Sequence, residues 1–567
     1  MMNAYPLFPS RNATSLEGVW DFAFFEGGDP EDCSPDSPAD GKSAVPGCFD
    51  TSPDLYGKRG TAIYSRPVDI AEDGLYRLRF GGLGLYGKVF WDGLPVDECR
   101  IPYSTFDVDI RATVGRHTLA VLICNRLDRP DLSPLFLGTD DYYGFGGIYR
   151  DITIEKLPDV PFLERVQVET LDLPARRLRL TFRFNGAEGD ASVGLVVDGE
   201  DYGTVHLKIA DGRARTEITC ANAAIWSPET PALHILEASF AGEKVVERFG
   251  IRTIATCGQD ILLNGEKIYL QGYNRHESHP EFGPVQTPQL MLDDLKWLKD
   301  SGANYIRCVH YQQDPRFFDL CDELGMLCWE ESVGWGIQQK ERFGAELADV
   351  IAEANRRMVT RNINNPSIII WAFMNEGGNN QPESVPVYEK AVSAIHAEDT
   401  SRLVSYCCWF EMQERCRELC DVMSFHMYPG WIGVESTDFG PASAHFAESI
   451  KYWLAIAAAS PASKDKPVIF SETGTCALYG YHDRDLAPWS EEFQADYDAA
   501  SVTALLAEKR ITGFTLWQFI DSKSFTRGPH IRGKARGFNC AGILDEYRRP
   551  KLAYDVLRPI LRSHPVK

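Results

Sequence analysis

The chain has 567 residues, of which 44% are hydrophobic and 25% charged; that is globular composition and excludes a collagen, a coiled coil or a disordered tail. Its 58 Lys+Arg against 81 Asp+Glu leave a net charge of −23, so nucleic acid and anionic membrane, which would repel it, are not expected partners. No apolar run approaches a membrane span, and the N-terminus lacks a charged region followed by an apolar one, so no signal peptide is expected. The chain has 15 cysteines and no Cys-x-x-Cys pair, which reads as free thiols in a reducing, cytoplasmic setting. Cys416, Cys420 and His426 lack zinc-site spacing and read as core packing. Asn12-Ala13-Thr14 fits a glycosylation triplet, a chance match in a cytoplasmic protein.

In chain order, residues 1–156 read as all-β. Alternating runs such as Tyr76–Phe80 and Lys88–Trp91 are separated by turn pairs such as Asp73-Gly74 and Asp92-Gly93, the pattern of a sandwich. Asp29–Gly41, rich in Pro, Asp and Ser, reads as a surface loop. Strands continue through 157–253, a length that suits one immunoglobulin-like sandwich. From 254 the texture becomes strand then helix. Strand candidates fall at Ile268–Gln271, Tyr305–Cys308, Met326–Trp329, Ile368–Met374, Leu403–Tyr406, Val422–Phe425, Val468–Ser471 and Phe514–Phe519. The clearest helix is Leu290–Lys299, with a capping Thr287, Pro288 in its first turn and Gly302 after its end. Eight strands over 254–567 fit a (β/α)8 TIM barrel, although a doubly wound sheet could also use eight. The barrel is favoured because the polar residues of interest follow strand C-terminal ends, where barrel active sites lie.

Strand four runs into Asn375-Glu376 and strand seven into Glu472. Two carboxyls facing each other across a barrel mouth are what glycoside hydrolysis needs, one as acid and one as nucleophile. Aromatic residues crowd the same rim: Trp329, Trp335, Trp371, Tyr406, Trp409, Tyr428, Trp431 and, as the best single candidate for stacking on a sugar, Trp517. After strand one, Glu277 and His279 are weak metal candidates, since two ligands two residues apart say little. After strand two, Arg307 and His310 point to the mouth, with Arg307 equally suited to be a buried partner for a carboxylate. Between Asp521 and Asp545 there is no acidic residue, and Lys523, Arg527, Arg532, Lys534 and Arg536 supply five positive charges. Such a loop over the mouth would attract an anionic substrate, or else simply offset nearby acids.

These residues together resemble glycoside hydrolase family 2, the clan of β-galactosidases and β-glucuronidases. The resemblance rests on Asn365-Pro366-Ser367-Ile368-Ile369-Ile370-Trp371 through Asn375-Glu376. It implies a jelly-roll sandwich over 1–156, an immunoglobulin-like sandwich over 157–253 and a catalytic TIM barrel over 254–567. It also implies Glu376 as acid/base, Glu472 as nucleophile, Tyr428 as support for the nucleophile, and His310 and Asp141 as sugar contacts, with Asn375, Trp517 and Asn539 lining the sugar pocket. A galactosidase-like magnesium site would map to Glu277, His279 and Glu376, but histidine suits magnesium poorly, and no cofactor is expected to be required. Glucuronidases read the sugar carboxylate with Asn-x-Lys; here the run is Asn539-Cys540-Ala541, so the lysine is missing. The expectation is a retaining, exo-acting β-glycosidase for a β-hexuronide, glucuronide or galacturonide, with Arg527, Arg532, Lys534 or Arg536 replacing that lysine. A neutral β-galactoside is the alternative substrate. A catalytically dead carbohydrate-binding protein is the alternative class, against which both glutamates speak. The partner is a carbohydrate or glycoconjugate, and the resemblance implies a homo-oligomer.

Overall fold

A computed structural model describes residues 4–136, 142–407, 413–429, 431, 442–525, 534–564 and 566, with backbone alone for 442–444. The N-terminal part is antiparallel. A six-stranded sheet built around Gly18–Glu26, Gly60–Ile70 and Gly115–Cys124 packs on a four-stranded sheet in which Gly74–Phe80 lies between Phe106–Ala112 and Ile152–Lys156. Alternation explains the layering. In Phe106–Ala112, Phe106, Val108, Ile110 and Ala112 are buried while Asp107, Asp109 and Arg111 face outward. The two sheets share a core that includes Trp20, Tyr64, Leu78, Phe80 and Val121. The expected loop at Asp29–Gly41 carries one turn of 3-10 helix, Pro30–Asp32.

Seven more strands between Phe162 and Phe249 form sheets of three and four around Val166, Leu180, Phe182, Leu195 and Leu236. In the loop before the last two of these strands Trp226 is fully buried, and its indole N–H donates to the Asp322 carbonyl at 2.9 Å. That contact ties the second sandwich to the next unit.

The remainder is a parallel barrel, expected from the strand-helix texture. Its strands are β1 (Leu270–Arg275), β2 (Tyr305–Cys308), β3 (Leu327–Glu331), β4 (Ile368–Ala372), β5 (Leu403–Ser405), β6 (Met423–His426), β7 (Val468–Glu472) and β8 (Gly513–Leu516). They pair in the order β5-β4-β3-β2-β1-β8-β7-β6. The seam between β5 and β6 is stitched by the Asp421 N–H to the Val404 carbonyl at 2.8 Å and by Ser405 Oγ to the Val422 carbonyl at 2.9 Å. Helix α1 (Pro288–Ser301) starts as expected, with Thr287 Oγ1 accepting the Leu290 N–H and Gly302 closing the far end at φ 94°. Helices α2 (Pro315–Leu324) and α3 (Ala345–Asn362) pack outside β2 to β4. Among the described residues no helix is long and apolar enough to cross a membrane.

Candidate active site

Strand β4 is apolar and wholly buried from Ile368 to Ala372. Beyond Ala372 the chain leaves the ladder: Met374 and Glu376 adopt φ 55° and 48°, a left-handed conformation that costs residues with a Cβ and collects at functional turns. The strand expected over Ile368–Met374 therefore stops two residues early. Strand β7 ends on Glu472 itself. The two glutamates meet at the barrel mouth, with one carboxylate oxygen of each and a ring nitrogen of His426 all within 4.8 Å of one another.

Glu472 is held from two sides. Arg307 Nη1 donates to Oε1 at 2.6 Å and Tyr428 Oη donates to Oε2 at 2.7 Å. Burial pushes the Glu472 pKa up, while His426, Arg307 and Tyr428 pull it back and Glu376 adds to the rise. Arg307 is itself fully buried, and its other nitrogen donates to Glu331 at 2.8 Å and to the Asn375 side-chain oxygen at 2.7 Å. Of the two readings that the sequence left open for Arg307, the structure shows the buried partner of a carboxylate.

His426 is the residue that sequence reasoning missed. It was grouped with Cys416 and Cys420 as core packing, but it closes β6 between the two glutamates. Nδ1 lies 2.5 Å from Glu376 Oε1. Nε2 lies 2.7 Å from Cys407 Sγ and 3.1 Å from Glu472 Oε1. Burial drives its pKa down to about 4, with Glu472 opposing and Arg307 assisting. The available signal was positional: a histidine at a strand C-terminal end, two residues before Tyr428.

Above the carboxylates lies an aromatic wall. Trp517 stacks on His310 with ring centroids 5.5 Å apart and planes at 16°, and His276 meets the same indole edge-on. His310 Nδ1 pairs with Glu331 Oε1 at 2.9 Å, which fixes its ring. Tyr142 of the first sandwich packs against both histidines, at 5.3 and 5.9 Å; Asp141, next to it in sequence, lies outside the described residues. Among the described residues no acceptor reaches the buried Asn375 Nδ2, so it can donate to a ligand hydroxyl. Not every rim candidate is at the rim. Trp329 and Trp371 are fully buried, the latter donating to Asp399 at 2.8 Å; their size fills the barrel wall instead. Trp431 packs on Tyr428 at 5.0 Å, and Trp409 lies outside the described residues.

The basic segment after β8 divides. Arg527 and Arg532 lie outside the described residues. Arg536 is half exposed and committed to Glu546 at 2.9 Å, so it is a surface ion pair rather than a pocket residue. Lys534 is buried; burial drives the His276 pKa well down, and the charges of His310 and Lys534 add to the fall. Cys476, Trp517, Phe538, Cys540 and Ala541 form one buried cluster, against which Ala535, the residue after Lys534, packs. Asn539 is buried and its side-chain oxygen accepts the Ala541 N–H at 3.2 Å.

Residues 254–558 match the family profile described as glycosyl hydrolases family 2, TIM barrel domain. The chain belongs to glycosyl hydrolase family 2. It is thus a glycoside hydrolase, a β-glycosidase by its relatives. A family 2 β-galacturonidase from Eisenbergiella tayi, solved bound to galacturonate, is 30% identical over 100% of both chains with a TM-score of 0.89. A β-glucuronidase of Streptococcus agalactiae is 23% identical, covering 96% of each chain. A β-galactosidase of Lactococcus lactis is 26% identical across 86% of this chain and 47% of its own.

In this family 2 enzyme the galactosidase-like magnesium set does not fit. Glu277 Oε2 takes Arg150 at 2.8 Å and its Oε1 takes the Asp314 N–H at 2.6 Å, so both oxygens are committed. His279 stacks on Phe282 and its Nδ1 accepts the Glu281 N–H at 3.2 Å. The residues that converge with Glu376 are His426 and Glu472.

Proposed function

We propose that this β-glycosidase is an exo-acting, retaining β-hexuronidase that hydrolyses terminal β-galacturonides ahead of glucuronides, without a required metal. The observation that carries the sugar assignment is the buried Lys534, whose charge acts on His276, the ring that meets Trp517 edge-on. A sugar carboxylate entering an acidic protein needs a desolvated positive partner. Ala541 cannot supply it, and Lys534 offers the same charge from another point of the backbone. The full-length likeness to a galacturonidase bound to galacturonate supports the same reading.

In the proposed reaction Glu472 attacks the anomeric carbon while the bond to the aglycone oxygen breaks and Glu376 gives that oxygen its proton. Glu376 then takes a proton from water, and the water displaces Glu472 from the same carbon. Carboxylate oxygens within 4.8 Å support retention, for which the carboxyls stand about 5–5.5 Å apart; inversion needs roughly 6.5–9.5 Å. Arg307 and Tyr428 stabilise the anionic Glu472 against burial. His426, with a pKa near 4, is neutral at pH 7, so it has one N–H and one lone pair. We assign the lone pair to Nδ1. At 2.5 Å from it, Glu376 then holds the proton that the leaving oxygen requires, and Nε2–H faces Cys407 and Glu472.

Turnover of a panel of chromogenic β-glycosides tests the reading, with the galacturonide expected first and the neutral galactoside at least tenfold behind. Lys534→Ala should lose about ten- to a hundredfold on the uronide, the worth of one charge-assisted contact, and little on the galactoside. Proton NMR of the first-formed sugar should show the β anomer. Chelator should leave the rate unchanged. A preferred galactoside, an α product or a chelator-sensitive rate each removes the corresponding part of the proposal.

A further inference from the structure

The two sandwiches and the barrel meet around a cavity of about 340 Å³, away from the carboxylates described above. Arg77 and Arg79 reach it from the first sandwich, and Arg165 and Arg183 from the second. Helix α3 adds Arg356, Arg357 and Arg361. Against these seven arginines the described lining carries four carboxylates, Asp97, Asp107, Glu164 and Glu353. So strong a positive wall is notable on a chain of net charge −23. Several of the arginines are spoken for. Arg79 pairs with Asp107 at 2.9 Å, Arg77 with Asp109 at 2.7 Å and Arg357 with Glu353 at 2.6 Å. Arg165 and Arg183 turn to Glu247 and Glu398, which lie behind the wall.

Two groups remain without a complement. Among the described residues Arg361 has no carboxylate partner, and its side chain donates to the Tyr5 carbonyl. Among the described residues no nitrogen or oxygen acceptor reaches the buried Arg357 Nη1; the Cys99 thiol is the guanidinium's neighbour there. The arginines also repel one another: after burial, Arg165 and Arg79 bring the Arg361 pKa down to about 10, and Arg213, Arg165 and Arg356 do the same to Arg183. A guanidinium offers a planar fork matched to carboxylate and phosphate, and forks arriving from three units suit a ligand with more than one such group.

We propose that this cavity is a second binding site, for a small molecule bearing two or more oxyanion groups, phosphate or carboxylate, held between both sandwiches and α3. Because α3 leads through Asn362 into β4, such a ligand clamps the barrel to the first sandwich, which lends Tyr142 to the active site, without touching substrate.

Calorimetric titration of the full chain with pyrophosphate and with citrate, at matched ionic strength, tests this. At least one probe should bind with a Kd of about 100 µM or tighter, the affinity of a small ligand with a few charge-assisted contacts, and the one that binds names the source of the oxyanion. Arg361→Met should weaken it about tenfold or more, the worth of one such contact. Arg357→Met serves the same purpose should the first variant fail to fold. Lys534→Ala should leave the affinity intact. The proposal is overturned by three results: neither probe binding, binding unchanged in the arginine variant that folds, or loss of binding in Lys534→Ala, which would put the anion in the substrate pocket.

Discussion

Burial raises the Glu472 pKa and so disfavours its anion; Arg307 and Tyr428 oppose this with contacts at 2.6 and 2.7 Å. Removing the phenol therefore has a predictable sign. In Tyr428→Phe the anion loses a donor, its pKa rises, and the acid limb of kcat/KM moves to higher pH, by about one unit for a contact of about 1.5 kcal/mol. A pH–rate profile checks it; a limb that stays put or moves down shows that Tyr428 does not stabilise the anion. His426 makes the complementary prediction. His426→Gln removes the ring nitrogen 2.5 Å from Glu376 Oε1, to which we assigned the placing of the Glu376 proton. The rate should fall by roughly 10²-fold, the scale of general acid catalysis, on substrates with poor leaving groups, and much less on those needing no proton. Equal losses on both would place the role of His426 elsewhere. At this scale the glutamates were legible, because an apolar strand that ends on Glu at a barrel rim is already a site signal. His426 was not, because its two contacts come from β4 and β7 rather than from its own neighbours in sequence.

At the scale of elements, the barrel is pinned by places where two backbones leave no room for a side chain. A Cβ on Gly474, two residues beyond Glu472, would lie 2.1 Å from the Trp517 carbonyl oxygen. Gly474→Ala should thus push the β7 and β8 ends apart and displace Trp517. Activity should fall at least tenfold while far-UV circular dichroism is unchanged, since a misplacement of about 1 Å costs this much or more. Gly325 ends α2 at φ 66°, and its Cβ would meet the Pro228 carbonyl oxygen at 2.1 Å. Helix α2 carries the same start and stop signals as α1: Asp314, Pro315 and Gly325 stand where α1 has Thr287, Pro288 and Gly302. All eight strands were legible from their apolar cores, and β2 to both its ends, but the C-terminal ends of the other seven were not. β4 stops early at the Met374–Glu376 turn and β7 runs on to include Glu472, because strand ends follow the demands of the site rather than hydrophobicity.

At the scale of the molecule, the first sandwich is locked to the barrel by one buried ion pair. Arg150 meets Glu277 at 2.8 Å and also donates to the Gln312 carbonyl at 2.7 Å. Arg150→Met leaves Glu277 charged and desolvated, which costs about 3–5 kcal/mol. The double variant with Glu277→Gln should recover part of that, because it buries no orphan charge. Urea midpoints of the two variants decide it; a double variant no more stable than the single one would mean that the pair works by packing alone. The same contact consumes the carboxylate that the sequence offered to a metal. Glu277 lies just after a barrel strand, where ligands are sought, and only the fold shows that the sandwich takes one of its oxygens and the Asp314 N–H the other.

What the sequence determined by itself was whatever travels along the chain: alternation of period two in the sandwiches, strand-helix repetition in the barrel, and glutamates at two strand ends. These are local patterns of burial and polarity, and each is complete within a few residues. What only the tertiary structure decided was pairing across distance. It turned Arg307 toward Glu472, put His426 between two glutamates, gave Arg536 to the surface and Lys534 to the interior, and spent Glu277 on Arg150. Charge and hydrogen bonding act within a few ångströms in space, and Arg307 and Glu472, which they join, stand 165 positions apart, a separation that no window on the chain can bridge.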